Sequence, residues 1–252
     1  MKQFIRRTLR KFGVDIVRIH GRPDLPGFIN DRSINVVIDV GANVGQFGER
    51  LRAQGYRNRI VSFEPLVTEF RTLAQKAQAD RNWEVNNCAL GTESGTATIN
   101  VSDSSTYSSI LAMKDVATRH DPAAVSRRQE AIQIRMLDEF LNAFSGNALL
   151  KIDTQGYEKQ VLEGGRRVLS AVKGVLMELP VIHLYQGTWH LHEAIDYMKQ
   201  SGFVPAQIYP VNYHLNDPQS LLEVDCLFRP FDKRLDSGDI LELAVGSCSK
   251  GV

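Results

Sequence analysis

INVVIDVGANVGQFGERL, residues 34–51, opens on a run in which five of seven residues are apolar, closes that run on Asp39 and continues as GANVG. Past the turn, Val44, Phe47 and Leu51 fall at helical spacing. A buried strand that ends on a carboxylate, turns on glycines and becomes a helix is the unit of an open α/β sheet. Ligands on such sheets bind beyond the carboxyl ends of the strands.

Working outward, the same alternation continues. RIVSFE (59–64), WEVNNCAL (83–90), NALLKID (147–153) and GVLMEL (174–179) read as strands, with helices over 67–78, 138–144, 157–172 and 189–202. GTESGTATINVS (91–102) reads as a turn and a short strand, and AIQIRML (131–137) as another short strand. FVPAQIYPV (203–211) and SLLEVDCLF (220–228) have no helix between them, so they form an antiparallel pair. Alternating strands and helices predict an α/β fold, a mostly parallel sheet covered on both faces. Residues 103–128 are polar and rich in Ser and Thr and read as a loop or lid, with Ser108 and Ser109 suited to a hydroxyl-rich ligand. Gly164 and Gly165 inside the helix over 157–172 are explained by close packing on the sheet, and Glu158 to Arg167 reads as a solvated face.

The chain's 252 residues suffice for one such domain. Residues 1–30 read as an amphipathic helix and linker, 31–235 as the domain and 236–252 as a tail. HGRPDLPG (20–27) supplies the linker. The first helix puts Phe4, Ile5, Leu9 and Phe12 on one face and Lys2, Arg6, Arg7, Arg10 and Lys11 on the other. That pattern suits either packing on the domain or peripheral contact with an anionic membrane surface. The net charge of +1 carries no field for nucleic acid. Three scattered cysteines, Cys88, Cys226 and Cys248, fit a reducing compartment, and no apolar run approaches the length of about 20 residues that spans a bilayer. The expected location is the cytoplasm, at most peripheral to the membrane.

Gly41, Asn43 and Gly45 stand where a dinucleotide fingerprint places glycines, and Glu64 ends the second strand at about the 20-residue spacing of a ribose-binding acid. Asn43 replaces the middle glycine, and Asp39 sets a negative charge beside the turn that repels a pyrophosphate and attracts a cation. S-adenosylmethionine meets these terms: ribose hydroxyls for Glu64, an ammonium and a sulfonium at the turn, and no phosphate. A tight turn with no ligand is the plain alternative.

VIDVGANVGQF, SFEP, NCALGTESG, the SS of Ser108 and Ser109, and LLKIDTQGYEKQVLEGG occur in the order seen in FkbM-type methyltransferases, which the chain resembles over about residues 34–180. The resemblance implies a class I, Rossmann-like methyltransferase sandwich with S-adenosylmethionine as donor. It implies a hydroxyl acceptor on a sugar of a glycolipid or polysaccharide, or on a polyketide. It also implies cofactor contacts along Asp39, Gly41, Ala42, Asn43, Val44 and Gly45, at Glu64 and Pro65 for the ribose, and at Cys88 and Ala89 flanking the adenine.

Methyl transfer needs the acceptor oxygen aligned and its proton removed. Asp153, at the end of LLKID and on the same face as Lys151, is the first candidate base; its alternative is a carboxylate capping the turn at Gln155 and Gly156. Glu178 ends the neighbouring strand, where a carboxylate pair could bind sugar hydroxyls or a divalent metal. His183 follows in a loop and could take a proton. His190 and His192, two apart on a predicted helix, face different sides, so no zinc site is expected. Tyr209, Tyr213 and His214 could line an acceptor groove. Besides sugar and polyketide O-methylation, a nicotinamide-dependent dehydrogenase and a non-catalytic adenosine-binding regulator remain as other readings.

Overall fold

The computed structural model describes residues 23–214 and 217–236. The N-terminal helix and the last tail residues expected from the sequence lie outside them. Element order is α1 (Leu25–Asp31), β1 (Val36–Val40), α2 (Gln46–Ala53), β2 (Arg59–Phe63), α3 (Val67–Ala77), β3 (Trp83–Asn86), β4 (Ala89–Leu90) and β5 (Gly95–Ser102). There follow α4 (Asp115–His120), β6 (Ser126–Arg135), β7 (Ala148–Ile152), α5 (Glu158–Glu163), α6 (Arg166–Leu169), β8 (Gly174–Pro180), α7 (Leu191–Gln200), β9 (Phe203–His214) and β10 (Asp217–Pro230).

Seven strands form the main sheet in the order β3-β2-β1-β7-β8-β10-β9. The pairs from β3 to β8 are parallel, and β10 runs antiparallel to both β8 and β9. This is the sandwich with an antiparallel C-terminal pair that the alternation predicted. The apolar runs are continuous because both faces are covered; every residue of β1 and β7 is buried. Even-numbered residues of β1 (Val36, Ile38, Val40) pack with α5, α6 and α7 through Val161, Leu162, Val168 and Met198. Val37 faces the other side with Phe28 of α1, Phe47 and Leu51 of α2 and Leu73 of α3.

Several expected elements differ. The segment read as a linker turns into α1: the Asp24 carboxylate accepts from Gly27 N–H at 2.8 Å and Pro26 sits in the first turn. An Asp cap followed by a first-turn Pro is a helix start, which the Pro and Gly content concealed. The third strand breaks after Asn86, where the Asn87 amide donates to the carbonyls of Glu64 and Pro65. Ala89–Leu90 then joins β6 and β5 in a separate three-stranded sheet. β6 starts earlier than its apolar alternation because residues 126–129 are exposed and are held by ladder pairing with β5 and by the Gln129 amide donating to Asn100 Oδ1. Leu137–Ala143 form a 3-10 helix where an α-helix was expected over 138–144. The helix over 157–172 breaks at Gly164 and Gly165: a Cβ on Gly164 would lie 1.8 Å from the Gly91 carbonyl oxygen, and one on Gly165 would lie 2.6 Å from Leu137. Glu158, expected on a solvated face, is 1% exposed.

Residues 103–125 hold short turns and α4, and their apolar side chains pack on Leu184 and Tyr185. Lys114 N–H donates to the Leu184 carbonyl, and Gln186 N–H to that of Ala112. The expected lid is therefore tied to the loop after β8.

Candidate active site

On one face of the sheet, five neighbouring strands change from apolar to polar toward the same edge: Ile60, Ser62 and Glu64; Val37 and Asp39; Leu149, Lys151 and Asp153; Leu176 and Glu178; Leu227, Asp225 and Glu223. The alternation of strand side chains and the register between neighbours place these rows side by side. Above them lies a cavity of about 490 Å³, within the usual size range of small-molecule sites.

The glycine turn closes one part of its wall. Gly41 has φ +75°, and a Cβ there would sit 1.8 Å from the Asp153 carbonyl oxygen, so no other residue lets the two strand ends approach. Every backbone N–H from 41 to 45 is committed. Gly41 and Ala42 donate to the Phe63 carbonyl, Asn43 to Glu64 Oε2, Val44 to Asn43 Oδ1 and Gly45 to the Ala42 carbonyl. A phosphate cradle needs those donors free, and this turn has none to offer. That removes the dinucleotide reading on firmer ground than the Asp39 charge.

Asp39 itself is fully buried beneath the cavity. Lys151 Nζ lies 3.1 Å from its Oδ1, and Ser62 Oγ donates to Oδ2 at 3.2 Å while accepting from the Trp83 indole N–H. Burial opposes the Lys151 charge, but Asp39 and Asp153 outweigh it and raise the ammonium's pKa. The expected attraction of a cation by Asp39 is thus cancelled by a neighbour on β7. Of the residues expected to meet the cofactor, Asp39, Val44 and Gly45 lie behind the cavity wall rather than in it. Gly45 begins α2 at φ +90°, and a Cβ there would press on Leu73 and Trp83.

Gly41, Ala42, Asn43, Glu64, Pro65, Cys88 and Ala89 do line the cavity. Glu64 is 5% exposed; its two oxygens accept from Asn43 and Leu66 N–H, each at 2.8 Å. Burial dominates and pushes its carboxyl up to about 7. Each oxygen keeps a lone pair for a further donor.

The opposite end is acidic. Asp153 and Glu178 line it, joined by Glu223 and Asp225 of β10, which the sequence reading missed. Asp225 lies opposite Glu178 in the antiparallel register. Burial first, then Asp153, Glu223 and Asp225, push the Glu178 carboxyl up to about 10, and burial likewise raises Glu223 and Asp225. Asp153 does not cap the turn after β7. That work falls to Glu158, whose Oε1 accepts from Thr154 N–H, the Thr154 hydroxyl and Gly156 N–H, each at 3.0 Å. Asp153 keeps its side chain at the cavity, one-third exposed, with Lys151 Nζ 3.4 Å from Oδ2.

His183 is not part of the cavity; its Nε2 pairs with His190 Nδ1 at 2.7 Å. His190 caps α7 in an extended conformation, so helical spacing does not govern it, and its ring stacks 5.4 Å from that of His192. Among the described residues no three His, Cys, Asp or Glu side chains are grouped to hold a metal ion. Val211 and Asn212 of β9 reach the cavity, whereas Tyr209, Tyr213 and His214 do not. Ser108 lines it but accepts from Ser102 N–H, and Ser109 is buried against the Gln155 carbonyl.

The sequence pattern of the family described as "Methyltransferase FkbM domain" matches residues 39–205. A curated relative, "Methyltransferase 1" of Beauveria bassiana (strain ARSEF 2860), is 26% identical over 148 residues, 51% of this chain and 57% of that protein. Among solved structures, the FkbM methyltransferase of Methylobacillus flagellatus KT aligns at 17% identity with a TM-score of 0.47, over 78% of this chain and 43% of the other. Streptococcus pneumoniae Sp1610, a putative tRNA (m1A22) methyltransferase, aligns at 9% identity with the same score, over 78% and 64%. The chain therefore spans little more than half the length of the curated relative and less than half of the M. flagellatus protein. With the family pattern covering most of the chain, including the strand-end residues Asp39, Glu64 and Asp153, this chain belongs to the FkbM methyltransferase family.

Proposed function

We propose that the chain is an S-adenosylmethionine-dependent O-methyltransferase acting on a sugar hydroxyl of a glycolipid or polysaccharide precursor. The observation that carries this reading is the two-ended cavity: a phosphate-refusing turn beside Glu64 at one end and four carboxylates at the other. Gly41, Ala42 and Asn43 would hold the methionine part, Glu64 the ribose through its remaining lone pairs, and Cys88 and Ala89 the adenine. The bound donor supplies a methyl group already activated by sulfonium.

Asp153 accepts the hydroxyl proton of the acceptor. Lys151, held by Asp39 and by the Gly41 carbonyl at 3.1 Å, keeps Asp153 in place. Glu178 carries a proton near neutral pH and serves as a hydrogen-bond donor to the acceptor, not as a second base. Asn212 adds an amide. Lys151 is already committed to two carboxylates, so four carboxyl groups outnumber the one other cation among the described lining residues, Arg50. A neutral polyol suits this end. The basic residues between 2 and 11, which lie outside the described residues, would bring the domain to a lipid-borne acceptor.

The test is incubation with donor labelled in its methyl group and with lipid, polysaccharide and RNA fractions of the source cell. Label in a glycolipid or polysaccharide, stable to mild base as an ether, is the expected result. Label confined to RNA, or to a small molecule without sugar, would replace this acceptor.

A further inference from the structure

Gln155 follows Asp153 by two residues and is one of only three non-glycine residues with positive φ among those described, at +54°. Such a conformation costs energy for a side chain other than Asn or Gly and is kept where the surroundings demand it. The surroundings here are specific. Gln155 Nε2 lies 3.0 Å from Asp153 Oδ1 and 3.0 Å from Glu178 Oε1. An amide nitrogen carries two hydrogens, so it donates to both carboxylates at once. On its other side Oε1 accepts from the Tyr185 hydroxyl at 2.9 Å, and the backbone carbonyl accepts from Ser109 Oγ at 2.7 Å. Tyr185 pairs with Met113 in the lid and places its hydroxyl 3.0 Å from the Tyr107 carbonyl. The amide of Gln155 thus joins the ends of β7 and β8 on one side and is anchored to the lid on the other.

We propose that Gln155 is a positioning residue, whose amide clamps Asp153 and Glu178 and presents Asp153 to the acceptor in a single orientation. The inference rests on the reading of Asp153 as proton acceptor. Its physical basis is the juxtaposition of two carboxyl groups on neighbouring strand ends. Left to themselves, the two share the proton that Glu178 carries. A shared proton occupies the lone pair that the acceptor hydroxyl needs. A neutral donor to both relieves this without adding charge. Glutamate at this position would have no hydrogens to give, and asparagine is one methylene shorter. The charged groups facing the pair are Lys151 from β7, Glu223 and Asp225 from β10, and Arg50 from α2. None of them donates to both carboxylates.

The test uses the full chain labelled with carbon-13 at the Asp and Glu carboxyl carbons, titrated by NMR. The variants are Gln155→Gly, which accepts the left-handed backbone without strain, and Gln155→Met, which keeps length and volume but has no donor. In both, the Glu178 midpoint should rise by about one to two pH units, the size of a lost hydrogen bond to a charged group. The Asp153 signal should shift as it takes up the shared proton. Tyr185→Phe, which removes one anchor and leaves the amide, should move the same midpoint in the same direction by less, and it carries the titration if both Gln155 variants melt early. Superimposable Glu178 and Asp153 titrations in parent and variants would overturn the clamp. Failure of the underlying reading shows elsewhere, as an Asp153→Asn enzyme that transfers labelled methyl at the parent rate while the titration shifts persist.

Discussion

The two ends of the cavity differ in how their charges are settled. At the donor end every backbone donor of the glycine turn is used, Asp39 is neutralised by Lys151, and Glu64 is fixed by two N–H groups. At the acceptor end four carboxyl groups line one wall, and burial, then Asp153, Glu223 and Asp225, push the Glu178 carboxyl up. The first end is preorganised to receive one defined ligand. The second is poised for a proton, and its side chains answer to what occupies it. The predictions that follow separate the two ends, from the largest effect to the smallest.

Asp153→Asn should slow methyl transfer by about 10²–10⁴-fold, the contribution of a positioned general base, as read by incorporation of labelled methyl. A parent rate would dissolve the distinction between the ends. Gly41→Ala should destabilise the whole domain by about 1–3 kcal/mol or more in a denaturant titration, since the new Cβ meets the Asp153 carbonyl oxygen with no room to yield. A neutral effect would mean that the β1 and β7 ends are farther apart than described.

Stability should also depend on pH through the acidic end. Glu178 and Glu158 bind protons more tightly when folded, at about 10 and about 7 against an unfolded value of 4.5. Their contribution is complete below the unfolded value and is lost as pH rises through the folded ones. The Tm should therefore fall between neutral and alkaline pH, and Glu178→Gln should flatten that fall. An equally steep fall in the variant would deny the proton on Glu178. The smallest effect concerns the lid. S-adenosylhomocysteine should slow amide exchange in residues 105–110, and less in residues 111–114, which are already bonded to the loop after β8. Equal exchange with and without ligand would leave the lid a static wall.

The difference between the ends also explains what was legible in the sequence. The donor end is local: strand, glycine turn and helix are contiguous in residues 34–51, and Glu64 follows at a familiar spacing. Gly41, Asn43 and Glu64, singled out by that spacing, line the cavity, as do Cys88 and Ala89, which the family resemblance pointed to. The pairing of Asp39 with Lys151 was not visible, because Lys151 belongs to a strand remote in sequence and adjacent in space. The acceptor end is assembled from β7, β8 and β10, so no short window displays it. One signal was available: in LLEVDCLF the two acids alternate on one face of an otherwise apolar strand. Two carboxylates on a buried face need a reason. His183 offered an attractive residue type without a position, and the structure turns it toward His190. The cap of the turn after β7 is Glu158, a residue that composition alone assigned to solvent.

The most direct test compares the two ends in one experiment: calorimetric binding of S-adenosylhomocysteine to the parent, Glu64→Ala and Asp153→Asn. Loss of the Glu64 carboxylate should cost about 1.5–3 kcal/mol, a weakening of about tenfold or more, while Asp153→Asn should bind nearly as the parent does. Unchanged affinity in Glu64→Ala, or an equal loss in Asp153→Asn, would contradict a cavity with separate donor and acceptor ends.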